Sequence, residues 1–132
     1  MTLERFRAAC LAHPGVTEQI QWGVDAVFKV GGKMFAVACT DFSSHPDANV
    51  CAFKCDDETF AELVERDGVL PAPYMARVKW VALHEWKAVP DREITALVAR
   101  AYAIVRAGLS KKTQAALPAP PAPSRRAARA VR

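Results

Sequence analysis

The side chains that could do chemistry in this chain are four cysteines, three histidines, a run of glutamates and a set of lysines at strand-like spacings. Cys51 and Cys55 are four apart in a segment that reads as a strand, which separates them by about 13 Å. Thiolates that far apart share neither a zinc ion nor a disulfide. Cys10 and Cys39 sit among apolar neighbours, where cysteine acts as a small hydrophobe, so four reduced, mostly buried thiols are expected, as in a cytoplasmic protein. His13, His45 and His84 stand at no recognisable spacing to a nucleophile. There is no nucleophile elbow, no H-E-x-x-H and no phosphate-cradling glycine loop, so no catalytic residue and no cofactor is expected. Glu58, Glu62 and Glu65 share one helix face, which without converging ligands reads as solvated, and no metal is expected. What remains is the cations, whose meaning depends on the elements that carry them.

Residues 2–13 have the apolar spacing of an amphipathic helix, with Thr2 as cap, Leu3, Phe6 and Cys10 inward, and Pro14-Gly15 as stop. Residues 26–30 and 33–40 flank Gly31-Gly32, a two-residue hairpin signal that pairs Val30 with Lys33 and Phe28 with Phe35. Residues 41–48 are loop by composition, and 49–55 read as a third strand. Asp56 or Asp57 caps an acidic helix with Phe60, Leu63 and Val64 inward, closed by Asp67-Gly68. The prolines of VLPAPY (69–74) make that segment extended or turned. Residues 78–85 read as a fourth strand. Pro90-Asp91 then opens the longest helix, about 18 residues, with Ile94, Leu97, Val98, Ala101, Tyr102 and Val105 as its stripe and Gly108-Leu109 as a Schellman stop.

This order predicts a two-layer α+β domain over residues 1–117: an antiparallel sheet of four or five strands with helices packed on one face. Period-two alternation assigns Phe28, Val30, Phe35, Val37, Cys51, Phe53, Val78 and Trp80 to the core face. Lys29, Met34, Ala36, Val50, Ala52, Lys54, Lys79, Val81 and Leu83 fall on the opposite face. Three lysines from three segments thus gather on a face left open, either to solubilise it or to meet an anion.

The charge balance qualifies that reading. The chain has 18 basic and 14 acidic residues, but Arg125, Arg126, Arg129 and Arg132 lie in the Pro/Ala-rich stretch 118–132, which has no acid and reads as a disordered tail. Residues 1–117 keep 14 of each sign, so the basic balance belongs to the tail. No apolar run is long enough to span a bilayer, and the charged N-terminal segment lacks a secretory pattern.

The pieces PGV (14–16), FKVGGKMFAV (28–37), AFKC (52–55), PAPYMARVKWVAL (71–83), VPD (89–91) and LSKK (109–112) resemble the MmcQ/YjbR-like family, in order and over about residues 3–117. The resemblance implies a compact α+β fold of frataxin-like arrangement. It also implies DNA binding by an open sheet face, by analogy with a double-wing module. Many members have His-x-Asn-Lys-x-His-Trp where this chain has Tyr74-Met75-Ala76-Arg77-Val78-Lys79-Trp80. Trp80 and a cation at Arg77 survive; a metal or proton-transfer role for the histidines has no counterpart here.

Residues and resemblance together predict a small cytoplasmic, bacterial-type protein that binds a polyanion, DNA first, through the open face. Lys29, Lys54 and Lys79 would contact phosphates, with Arg77, Lys33 and Lys87 at the edges. Trp22, in the loop sequence QWG, is either a half-buried loop anchor or a stacking platform for a base. The alternative is a protein-interaction or regulatory module, without catalysis, using the same face. Neither needs a membrane, and the oligomeric state stays open, a monomer being the simpler expectation.

Overall fold

The structure is a computed structural model that describes residues 1–73 and 75–118. The expectation of a disordered tail lies, from residue 119 onward, outside the described residues.

Side-chain caps start three of the four helices. The Thr2 hydroxyl accepts from the Arg5 amide (3.2 Å) ahead of α1 (Leu3–Leu11), and the Asp56 carboxylate accepts from the Thr59 amide (2.7 Å) ahead of α2 (Asp57–Leu63). Helix α3 (Asp91–Ala107) follows Pro90, and Ser110 accepts from the Thr113 amide (3.1 Å) to begin α4 (Lys111–Ala116). The strands are β1 (Val16–Gln21), β2 (Asp25–Val30), β3 (Lys33–Cys39), β4 (Cys51–Lys54), β5 (Val69–Pro71) and β6 (Trp80–Leu83). They form one antiparallel sheet in the order β1-β2-β3-β4-β6-β5. Helices α1 and α3 pack on each other and on one side of the sheet, around Phe6, Phe28, Phe35, Phe53, Leu83, Ile94 and Val98. Edge-to-face contacts of Phe6 with Phe28 (6.2 Å) and of Phe35 with Tyr102 (5.6 Å) join helix to strand.

The α+β architecture is the expected one, with six strands instead of four or five. The strand not foreseen is β1. Its sequence VTEQIQ puts only Val16 and Ile20 on the helix side, with Glu18 between them tied to Arg7 of α1 (2.7 Å), so its apolar alternation is weak. The other addition, β5, is drawn from VLPAPY. Pro71 is tolerated there because β5 is an edge strand. At the other end of α3, Gly108 has a right-handed φ of −82° instead of a Schellman geometry, because the chain runs on into Ser110 and α4. Leu109 still makes the apolar contact, buried over Gly31.

The face assignment needs a larger correction. Val30 pairs with Lys33 as expected, but Phe28 lies opposite Ala36, while Lys29 lies opposite Met34. Phe35 is thus the extra residue of a β-bulge, and Phe35 and Ala36 both enter the core. Beyond the bulge alternation is reversed, so Val37 faces away from the helices. Strand β6 follows from register: Val81 is opposite Phe53, so Val81 and Leu83 are core residues and Trp80 points to the other side. Val78 is 52% exposed and belongs to no strand, since residues 76–78 form a 3-10 turn and Lys79 is left-handed (φ 62°). Val50, expected on the open face, is buried in the helix-side core.

Gly31 and Gly32 both have positive φ (58° and 81°), as the hairpin requires, but their surroundings differ. A Cβ on Gly31 would stand 2.5 Å from Leu109 Cδ1; one on Gly32 would meet nothing within 4 Å. Gly32→Ala is expected to cost about 1 kcal/mol from backbone strain alone. Gly31→Ala should cost clearly more, because Leu109 must give way; urea unfolding of the two variants checks the order, and equal losses would contradict it.

Candidate functional site

The sheet side away from the helices is only partly open. The β5–β6 connection folds back over it: Ala72 and Met75 pack on Trp80 and Ala82, which are 3% and 1% exposed. Backbone bonds from the Ala72 amide to the Trp80 carbonyl (3.0 Å) and from the Trp80 amide to the Met75 carbonyl (3.2 Å) hold this flap down. Opposite it stands the three-residue turn Trp22-Gly23-Val24 between β1 and β2. Trp22 is left-handed (φ 53°) and 65% exposed, so it is not a half-buried anchor.

Between turn and flap lies a trough. Trp22 and Asp25 line one wall, Pro73 and Met75 the other, and Met34 one end, enclosing about 570 Å³. An adjoining space of about 230 Å³, which shares Trp22, Asp25, Pro73 and Met75, reaches Val37, Ala52 and Ala82 on the sheet floor. The space is that of a small-ligand or nucleobase site, with a mostly apolar lining. One wall carries charge. Partial burial pushes the Asp25 carboxyl above the usual carboxylate range, an effect opposed by nearby His45.

Beyond Met34 a second hollow of about 330 Å³ continues toward the end of the sheet, bounded by Lys33, Lys54, Val78, Trp80 and the last turns of α3. Lys54 is opposite Trp80 and donates from Nζ to the Val78 carbonyl, which fixes its ammonium at the foot of the flap. Lys29, cross-strand from Met34, shares the trough side of the sheet, since directly opposed residues point the same way. Lys29, Lys33 and Lys54 are in no salt bridge among the described residues, whereas Arg5, Arg7, Arg66 and Arg100 all hold carboxylates.

The structure therefore brings together Trp22, Lys29 and Lys54 on the trough side, while Lys33, opposite the core residue Val30, stands at the rim of the second hollow. Arg77 is exposed on the flap. The other two lie elsewhere. Lys79, expected on the open face, is instead the left-handed residue that closes the 3-10 turn, and its Nζ stands 5.0 Å from the Phe60 ring centroid of α2. Lys87 lies in a 3-10 turn whose Trp86 packs on Phe6 (5.4 Å) in the helix layer. Asp25, Met34, Pro73 and Met75 were not singled out as one site from the sequence. The P-A-P spacing at 71–73, which forces a turn, was the signal for a flap.

Among the described residues no group of three His, Cys, Asp or Glu side chains could hold a metal ion, and no helix is long and apolar enough to cross a membrane. All four cysteines are free and buried.

Fold and site together define an α+β protein with a half-roofed sheet face. The YjbR family model matches residues 11–104, and the chain belongs to the YjbR family. A similar solved structure is the crystal structure of Deinococcus radiodurans protein DR2400, described with the family-model domain DUF419. It is 22% identical over 86% of each chain, with a TM-score of 0.73, a likeness of fold. No curated protein matches the chain.

The thiols give a test of this packing. Burial raises the Cys10 and Cys51 thiols and pushes Cys55 up to about 12. An unfolded thiol ionises near ~8.5, so the folded chain keeps protons that the unfolded chain gives up. The stability linked to these thiols is therefore whole below that pH and lost as pH rises above it. The urea midpoint is expected to fall between about pH 8.5 and 10, and a thiol reagent at neutral pH should label the native protein far more slowly than the urea-unfolded one. Rapid native labelling of all four would mean the core is not closed.

Proposed function

We propose that the trough side of the sheet binds DNA along a stretch of unpaired bases. The observation that supports this most is Trp22: a large aromatic, 65% exposed, at the wall of an apolar trough that shares its side of the sheet with Lys29 and Lys54 and has Lys33 at its far rim. An unpaired base has an aromatic face to stack on an indole, whereas the bases of a duplex are already stacked on one another. Lys29, Lys33, Lys54 and the flap residue Arg77 would meet the backbone phosphates, each contact releasing counterions. Lys79 and Lys87 take no part. Balanced charge over residues 1–117 makes the interaction modest and salt-sensitive.

Fluorescence anisotropy with a labelled oligothymidylate tests this reading. With three to four phosphate contacts, affinity should fall with a log–log salt slope of about −2.5. Lys29→Ala/Lys33→Ala together should flatten that slope by about 1.4. Trp22→Ala should weaken binding by about 1–3 kcal/mol and leave the slope alone. Asp25→Asn should tighten it, because a carboxylate leaves an anion's path. A chain shortened at Pro118 is the control for the four tail arginines. Binding that is indifferent to salt and to Trp22 would sink the proposal and favour the other reading, an apolar segment of a protein partner laid in the trough.

A further inference from the structure

The two edges of the sheet are unlike. At one edge β5 has three residues, contains Pro71 and is followed by Pro73, so it offers little to a further strand. At the other, β1 pairs with β2 over six consecutive residues without a bulge, and its opposite side has no strand. Natural edge strands are usually blunted by lysine, proline, a bulge or an inward charge. β1 has no lysine and no proline, and its one charge, Glu18, is turned back onto Arg7.

Exposed apolar side chains gather at the same edge. The exposed large hydrophobics among the described residues are Leu11, Ile20, Trp22 and Val78. Leu11 ends the helix that leads into β1, Ile20 lies in β1, and Trp22 follows it. Ile20, 59% exposed, also borders a surface hollow of about 360 Å³ with Leu3, Arg7, Glu18 and Thr40.

We infer that β1 is the contact strand of a homodimer, in which two copies join antiparallel edges across a two-fold axis into one twelve-stranded sheet. A second copy is the occupant because the edge complements itself. In antiparallel pairing, opposed residues point the same way, so even positions of one β1 must face even positions of the other. The register with Glu18 on the axis sets Val16 opposite Ile20 of the second copy, twice, and Thr17 opposite Gln19. It also sets Glu18 opposite Glu18, a like-charge contact that each copy's own Arg7, 2.7 Å from its carboxylate, offsets and that keeps the dimer weak. A two-fold interface requires a self-match such as that of Val16 with Ile20; an unrelated peptide would have to supply it. The contact is short, one strand and its flanks, so a weak dimer is expected.

Sedimentation equilibrium of the full chain without nucleic acid, from about 10 to 500 µM, should show the mass climbing from one chain toward two. Ile20→Lys, at an exposed position that folding does not need filled, should hold the protein at the monomer mass with an unchanged circular dichroism spectrum. Val78→Lys, exposed to a similar degree but away from β1, should dimerise as the parent does. A parent that stays monomeric throughout, or an Ile20→Lys variant that dimerises normally, overturns the inference. Because no DNA is present, its failure is separate from failure of the proposed function.

Discussion

Antiparallel strands keep opposed side chains on one side, so a single irregularity resets every strand beyond it. Here that irregularity is the bulge at Phe35 and Ala36, where two successive residues of β3 face a single position on β2. Phe35 reaches Tyr102, and Ala36 fills the core beside Phe53 and Val81, whose strands are in register with it. The same step turns Val37 outward, aligned with Ala52, which is aligned with Ala82. The floor of the trough is that row of small and medium apolar residues. Without the bulge the row would lie under the helices, and the opposite side would carry a different surface.

The trough also depends on an uneven treatment of two tryptophans. Trp80 is on the helix-free side of the sheet yet almost wholly buried, because Ala72 and Met75 of the flap pack over it. Trp22 reaches the same side from the other wall and stays uncovered. The flap is held by backbone bonds to Trp80 and by the Lys54 ammonium on the Val78 carbonyl. One lysine of the basic end is thus already committed to structure, which makes Lys29 and Lys33 the cations freest to respond to a ligand.

Much of this was legible in the residues. Thr2, Asp56 and Gly31-Gly32 marked starts and a turn through capping and positive φ, which are local effects. The stripe on α3 was read correctly because helix burial is periodic over seventeen residues. What failed was non-local. Trp80 was assigned to the core by its bulk, but its direction is set by the pairing of β4 with β6, and its burial by a flap from the chain before it. Lys79 was read as a strand residue because nothing in VKW announces a left-handed turn. β1 was missed because an edge strand beside a helix buries only part of one side. Of the candidate site, the cations on strands were found, and the apolar trough they border was not, since its walls come from two turns far apart in sequence.

Trp22 has a consequence for anyone who would engineer this protein. A bulky residue in left-handed backbone is strained, and an indole facing water gains nothing from burial. Asparagine tolerates that conformation better. A redesign guided by thermal robustness alone would therefore select against the indole, and would return a sturdier molecule with its most prominent recognition feature erased.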